Sequence, residues 1–266
     1  MGLLALTSMV VIVAFAWIWI SNQEEVPAYN GAIAEEIDEI DQVDEPASLV
    51  IGHPPEEMED EEEIEPVDIP IDFAHYQGIN EDIYAWIIIP GTLVDYPILQ
   101  SDGDDQEFYL HHTFERLPSI EGSVFTQNYN GKDFTDINTV IYGHDMLDGS
   151  IFGSLRNYRD ENYRREHDTI IIYTPHSILE YRIFSIVIFD NRHLMYAFCF
   201  DSEDGFYDFI GELQNAREII YWSEDIGATF RDRIITLSTC TVAVHERLLV
   251  VAVLVDYQGE FSLGLH

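Results

Sequence analysis

Thr236-Leu237-Ser238-Thr239-Cys240-Thr241 follows the apolar pair Ile234-Ile235, and a short loop later comes Arg247-Leu-Leu-Val-Val-Ala-Val-Leu-Val255. Two apolar runs of strand length around a short polar segment read as consecutive strands. Cys240 then stands at the end of the first strand and Arg247 opens the second. A thiol on a polar strand end is exposed without losing rigidity. If the two strands pair antiparallel, Cys240 and Arg247 project from neighbouring strand ends.

The chain of 266 residues carries 50 acidic against 12 basic side chains, a net charge of −38, and Lys132 is its one lysine. Such a surface repels nucleic acid and anionic lipid and argues against phosphate recognition. With 47% hydrophobic and 13% aromatic residues, a sizeable core is expected. Two cysteines make no disulfide framework. Cys199, in Tyr196-Ala-Phe-Cys-Phe200, reads as a small buried hydrophobe, because free cysteine is among the most buried residue types.

Three segments are expected. Residues 1–20 hold an uncharged apolar run from Leu3 to Ile20, just long enough to cross a bilayer, with Trp17 and Trp19 suited to the interface. No small-x-small cleavage site follows Ile20, so the run reads as an uncleaved signal anchor. Residues 21–68 are an acidic linker: 16 of the 34 residues from Glu35 to Asp68 are Asp or Glu, and mutual repulsion keeps such a stretch solvated and extended. Residues 69–266 form the folded domain.

Within that domain, strands are expected at 85–89, 94–99, 122–126, 138–142, 169–174, 179–189 and on both sides of Cys240. Pro97 makes the second of these an edge or a bulge. Helices are expected near 150–158 and over 204–217, the latter with Phe206, Phe209, Ile210 and Leu213 on one stripe. Strands come in runs rather than alternating with helices. The fold class is therefore mainly β, an antiparallel barrel or sandwich with helical insertions. There is no Gly-rich phosphate loop, HExxH or GxSxG. His111-His112 is the nearest approach to a metal site, but adjacent side chains point apart.

A thiol nucleophile needs a proton partner and a donor for the oxyanion. His144, at a strand end after the turn-permitting Gly143, is a candidate for the first. Arg247 is a candidate for the second, since a guanidinium stays charged at any working pH.

Asn138-Thr-Val-Ile-Tyr-Gly-His144-Asp-Met-Leu-Asp-Gly-Ser-Ile-Phe-Gly153 and Thr236-Leu-Ser-Thr-Cys240-Thr resemble the two signature blocks of sortases, specifically class B. The resemblance extends to Trp86–Ile98, to Tyr181–Ser185 and to Arg247–Leu254. It implies a closed eight-stranded β-barrel with helical insertions, preceded by an N-terminal transmembrane helix. It also implies cysteine transpeptidation without metal or organic cofactor. Carried across by motif, Cys240 is the nucleophile, His144 the general acid/base and Arg247 the substrate clamp and oxyanion stabiliser. Ser238 and Thr239 then line the substrate groove, and the Thr241 N–H assists at the oxyanion. The implied substrates are secreted proteins with a C-terminal NPxTx-type sorting signal. The implied acceptor is an amine of a peptidoglycan precursor or another protein such as a pilin. The implied location is the cell membrane, with the catalytic domain extracytoplasmic in a Gram-positive-type envelope.

Three features depart from that pattern. Asp145 follows the histidine where the family usually has a neutral residue, and a carboxylate there favours the imidazolium. The connection from Cys240 to Arg247 is about one residue short, with Glu246 against the arginine. The near absence of lysine and the net negative charge are also unusual. A cysteine peptidase that only hydrolyses, and a catalytically silent surface module, are the alternative readings.

Overall fold

The computed structural model describes residues 67–240 and 245–261. The expected anchor, all but the last two residues of the linker, and Thr241 lie outside the described residues. Among the described residues, no helix is long and apolar enough to cross a membrane.

Nine strands of the described residues make one sheet: β1 (Ile83–Ile88), β2 (Asp95–Leu99), β3 (Val124–Thr126), β4 (Asn138–Tyr142), β5 (Thr169–Tyr173), β6 (Ser177–Asp190), β7 (Glu218–Trp222), β8 (Ile234–Cys240) and β9 (Glu246–Gly259). The spatial order is β5-β1-β2-β3-β4-β8-β9-β6-β7, and β5 also pairs with β6. That extra pairing closes eight strands into a barrel and leaves β7 outside the ring. β6 manages both partners along its length. Its residues 178–182 pair with β5 and residues 185–188 pair with β7. A bulge in its pairing with β9 falls between Ile183 and Ser185, where the partner changes; an extra residue there bends the strand and resets its alternation.

Among the described residues, four helices decorate the barrel: α1 (Phe73–Ile79), α2 (Glu161–Glu166), α3 (Leu194–Ala197) and α4 (Glu203–Gln214). The segment expected to be helical near 150–158 is a 3-10 helix over Gly153–Arg159. α4 starts where Ser202 accepts from the Gly205 N–H, with Glu203 and Asp204 in the first turn, where acidic side chains suit the helix dipole. Its stripe of Phe206, Phe209 and Leu213 is fully buried, each side chain worth roughly 1.5–3 kcal/mol of transfer free energy.

The strands sort their residues into two apolar layers. Ile141, Ile235, Leu237, Leu248, Val250 and Ala252 fill the barrel interior. Val140, Ile234, Leu249, Val251 and Val253, on the outer face of the same strands, pack under α4. Period-two alternation explains the division, since neighbours along a strand face opposite sides.

Three expectations need correction. β2 is an internal strand, not an edge. However, β3 pairs only with Ile98 and Leu99, so Pro97 sits where no ladder on that side asks for its missing N–H. Cys199 is exposed rather than buried: Phe198 and Phe200 turn inward on either side of it, and the chain alternates through the thiol. The sheet is also less uniformly antiparallel than expected, because β2–β3 and β4–β8 are parallel.

Candidate active site

The parallel β4–β8 pairing builds the site. It places Tyr142 opposite Ser238, and the Gly143 N–H donates to the Ser238 carbonyl at 3.3 Å. Two residues further along each chain stand His144 and Cys240, emerging from adjacent strand ends. On the other side of β8 the antiparallel register sets Cys240 level with Arg247. Three residues separated by up to about a hundred positions thus meet at one end of the barrel.

His144 is held by a backbone group. Its Nε2 lies 2.8 Å from the Leu110 carbonyl. A carbonyl only accepts, so Nε2 carries the hydrogen and Nδ1 is left to exchange a proton with a substrate. Leu110 closes a 3-10 turn over Phe108–Leu110, and that turn is pinned from below. The buried Tyr109 hydroxyl donates to Asp82 Oδ2 at 2.5 Å and accepts from Asn80 Nδ2 at 2.7 Å. Arg116 bonds the same Asp82 at 2.9 Å. Burial, with the Asp82 carboxylate adding to it, pushes the Tyr109 hydroxyl up to about 12, so it remains a donor at any ordinary pH. On the opposite side Gly122 has φ +61°, and a Cβ there would stand 2.5 Å from the Leu110 carbonyl oxygen. Only glycine allows so close an approach in that conformation.

Asp145 is answered by a cation. Arg156 Nη2 lies 2.5 Å from its Oδ1 and also bonds the Met146 carbonyl, while Nε donates to the Gly153 carbonyl at 2.8 Å. The carboxylate next to His144 is therefore paired with Arg156. The planar guanidinium closes the loop behind His144 with three bonds. Phe152 N–H to the His144 carbonyl, 3.0 Å, fastens the same loop.

Arg247 is the reverse case. Glu246, which abuts it in sequence, turns its carboxylate to Arg217. Among the described residues, the Arg247 guanidinium makes one hydrogen bond, to the Glu246 carbonyl at 3.2 Å, and no described carboxylate pairs with it. A cation with no carboxylate partner among the described residues is available to an oxygen that acquires negative charge.

His144, Arg247 and Ser238 share the wall of one cavity of about 200 Å³ with Tyr142, Leu249 and Glu107. Thr239 is buried and lies off that wall, because it alternates to the barrel side of β8. His111 is exposed, with its ring 6.3 Å from that of His144. His112 turns away and stacks on Phe108 at 3.8 Å, as adjacent residues must. Sequence reasoning missed the Leu110 carbonyl, Arg156 and Arg217. A backbone acceptor has no residue signature, and the two charged side chains acquire meaning only from what the fold sets beside them.

Comparison with known proteins agrees with this fold. The Sortase domain model matches residues 87–255. Sortase B of Listeria monocytogenes is 35% identical over 164 residues, which are 62% of this chain and 65% of that protein. The chain thus spans just under two thirds of that relative's length. A Staphylococcus aureus sortase B–substrate complex superposes with a TM-score of 0.60 at 29% identity, covering 69% of this chain and 84% of that one. A sortase B complexed with triglycine gives 0.61 at 29% identity, covering 69% and 85%. The chain belongs to the sortase family, and the relatives it matches are class B sortases.

Proposed function

We propose that this protein is a class B-type cysteine transpeptidase with Cys240 as nucleophile, His144 as general acid/base and Arg247 as oxyanion stabiliser. The Cys240 thiolate attacks the threonine carbonyl of an NPxTx-type sorting signal, forming a C–S bond. Arg247 holds the oxygen as charge develops. The C–N bond breaks, and the leaving amine takes a proton from His144 Nδ1. The acceptor amine attacks the thioester, returns a proton to His144 and expels the thiolate. Ser238 lines the groove, and the Thr241 N–H assists at the oxyanion. No step requires a metal or organic cofactor.

The observation that carries this reading is the register, which brings His144 to the strand end beside Cys240 and sets Arg247 across from it, with the guanidinium unclaimed by any described carboxylate. The substrate and triglycine complexes of the related sortase B proteins support a peptide donor and an amine acceptor. Residues 1–20 tether the enzyme as a single-pass anchor and residues 21–68 space it from the membrane. The domain then works on the outer face, on secreted proteins, with a peptidoglycan-precursor or pilin amine as acceptor.

The test is a fluorogenic NPxTx peptide with and without an added oligoglycine or diaminopimelate-type amine. The wild-type chain gives a ligated product of the expected mass. Cys240→Ala, His144→Ala and Arg247→Ala each lose cleavage while retaining the native circular dichroism spectrum. Hydrolysis with no ligation at any amine concentration makes the protein a peptidase. Full activity in Cys240→Ala refutes the mechanism.

A further inference from the structure

Two carboxylates stand beside the strand end that presents Arg247. β6 and β9 pair with Asp190 opposite Glu246 and Phe189 opposite Arg247. Like charges directly across a ladder repel, and the fold answers each with its own arginine. Arg192 takes Asp190: Nε donates to both carboxylate oxygens at 2.8 and 2.9 Å and Nη2 to one at 2.6 Å. Arg217 takes Glu246. Arg217 immediately precedes β7, on the far side of β6 from β9, so this ion pair reaches across β6 to the first residue of β9.

The two ends of that pair differ. The Arg217 side chain is 77% exposed and the Glu246 side chain only 19%. Water can serve the arginine, whereas a mostly buried carboxylate depends on a cation. Among the described residues, Arg217 is the one cation paired with Glu246. Arg192 is already committed, since it also bonds Glu212 at 3.1 Å. Alternation starts the Glu246 and Arg247 side chains on opposite faces of β9, yet the Arg247 guanidinium turns back and donates to the Glu246 carbonyl at 3.2 Å. With Arg217 gone, the cation left beside Glu246 is Arg247 itself.

We infer that Arg217 is a positioning residue: by holding Glu246 it keeps that carboxylate off Arg247 and leaves the guanidinium to the reacting oxygen; this rests on the transpeptidase reading above. A carboxylate on Arg247 would cancel the charge that the developing oxyanion needs, and it would have to be displaced in every turnover. Binding of the intact peptide, whose carbonyl carries no full charge, is affected far less. The loss thus falls on kcat and leaves KM alone. The direct contribution of the pair to folding is small, because Arg217 is exposed and such pairs add little.

The test uses the full chain, an NPxTx peptide and the variants Arg217→Gln, Arg217→Lys, Glu246→Gln and Arg217→Gln with Glu246→Gln. Urea unfolding checks that each is native under the assay conditions. Arg217→Gln should lower kcat about tenfold at unchanged KM, a part of the roughly hundredfold or more that losing an oxyanion donor outright costs. Arg217→Lys, which keeps a cation for Glu246, should stay close to wild type. Glu246→Gln should too, since it removes the competing charge together with its need for a partner. The double variant should recover the wild-type kcat, although it lacks the ion pair as fully as Arg217→Gln does. That recovery separates positioning from support of the fold, because a structural role would leave both variants equally impaired. An Arg217→Gln protein that does not fold, one that keeps the wild-type kcat, or a loss that persists in the double variant overturns the inference and leaves the transpeptidase reading standing. A wild-type chain that cleaves no NPxTx peptide ends that reading, and the inference with it.

Discussion

Replacing Gly122 by alanine tests whether the Leu110 carbonyl positions His144. The new Cβ would meet the Leu110 oxygen at 2.5 Å and the Tyr109 oxygen at 2.7 Å. Ordinary contact begins near 3.4 Å, so the Leu110 oxygen must retreat by about 0.9 Å, the difference between 3.4 and 2.5. If it retreats away from His144, their 2.8 Å hydrogen bond opens to about 3.7 Å and no longer counts as one. Alanine in the left-handed region costs about 1–2 kcal/mol, and the lost hydrogen bond about 0.5–1.5 kcal/mol. Together they predict roughly 1.5–3.5 kcal/mol of destabilisation, read by urea unfolding. Catalysis falls further than stability implies, because misplacing a reacting group by about 1 Å can cost up to about a hundredfold. Steady-state kinetics at a temperature where both proteins are fully folded should show the loss mainly in kcat. The control is Gly211→Ala in α4, where a Cβ meets nothing within 4 Å. It should stabilise the chain by about 0.5–1 kcal/mol and leave the kinetics alone. A Gly122→Ala protein that unfolds and turns over like its parent would refute the positioning role of Leu110.

Arg156→Met removes the partner of Asp145 and three bonds from the loop behind His144. It should cost about 1–2 kcal/mol, between an exposed and a buried pair, given side-chain exposures of 39% and 20%. Loosening that loop should lower kcat/KM, and Arg156→Lys should not restore it, because one ammonium cannot make a three-bond fork. Burial raises the hydroxyls of Tyr84, Tyr109, Tyr142, Tyr158 and Tyr181 above the ordinary tyrosine value of 10.0. A folded value above the unfolded one means that their contribution is complete below pH 10 and is lost as pH rises beyond it. Tyrosinate absorbance and near-ultraviolet circular dichroism should therefore change together above that pH; free titration of these tyrosines in a still-folded protein would contradict it.

How far the sequence reaches differs between parts of the fold for physical reasons. Strand alternation and the α4 stripe are local periodicities, so they place β4, β5, β6 and the start of β9 within a residue or two, while β9 runs on past the apolar stretch ending at Val255 to Gly259. β7 escapes them, because Glu218-Ile-Ile-Tyr-Trp222 is a short strand outside the ring with its first two residues exposed, and its pattern is weak. Cys199 misleads because its apolar neighbours read as its surroundings, although in extended chain neighbours face the other way. For the site, His144 and Cys240 each show as a polar residue at the end of an apolar run. Whether two strand ends are adjacent is a different matter, since periodicity assigns a face and not a neighbour.

That adjacency depends on one register. A shift of β8 against β4 by a single residue would carry Cys240 about 3.3 Å along the strand and exchange its two faces. Either change would dissolve the site, so something must specify the pairing. The apolar layers do part of it, with Leu237 and Ile235 inside the barrel and Ile234 outside. The buried polar groups supply the rest. Thr236 Oγ1 donates to Asn138 Oδ1 at 2.9 Å across the two strands. The Asn138 carbonyl accepts from Asn130 Nδ2 at 2.8 Å, and Asn130 Oδ1 accepts from the Val140 N–H at 3.0 Å. Asn138 and Thr236 are wholly buried. A slipped strand would strand both polar groups without partners, at about 1–3 kcal/mol each. Apolar side chains tolerate a shift to another apolar neighbour far better than a buried amide tolerates losing its bond. The hydrogen bonds at the start of β4 thus act on the site some six residues away, by leaving the two strands one affordable alignment.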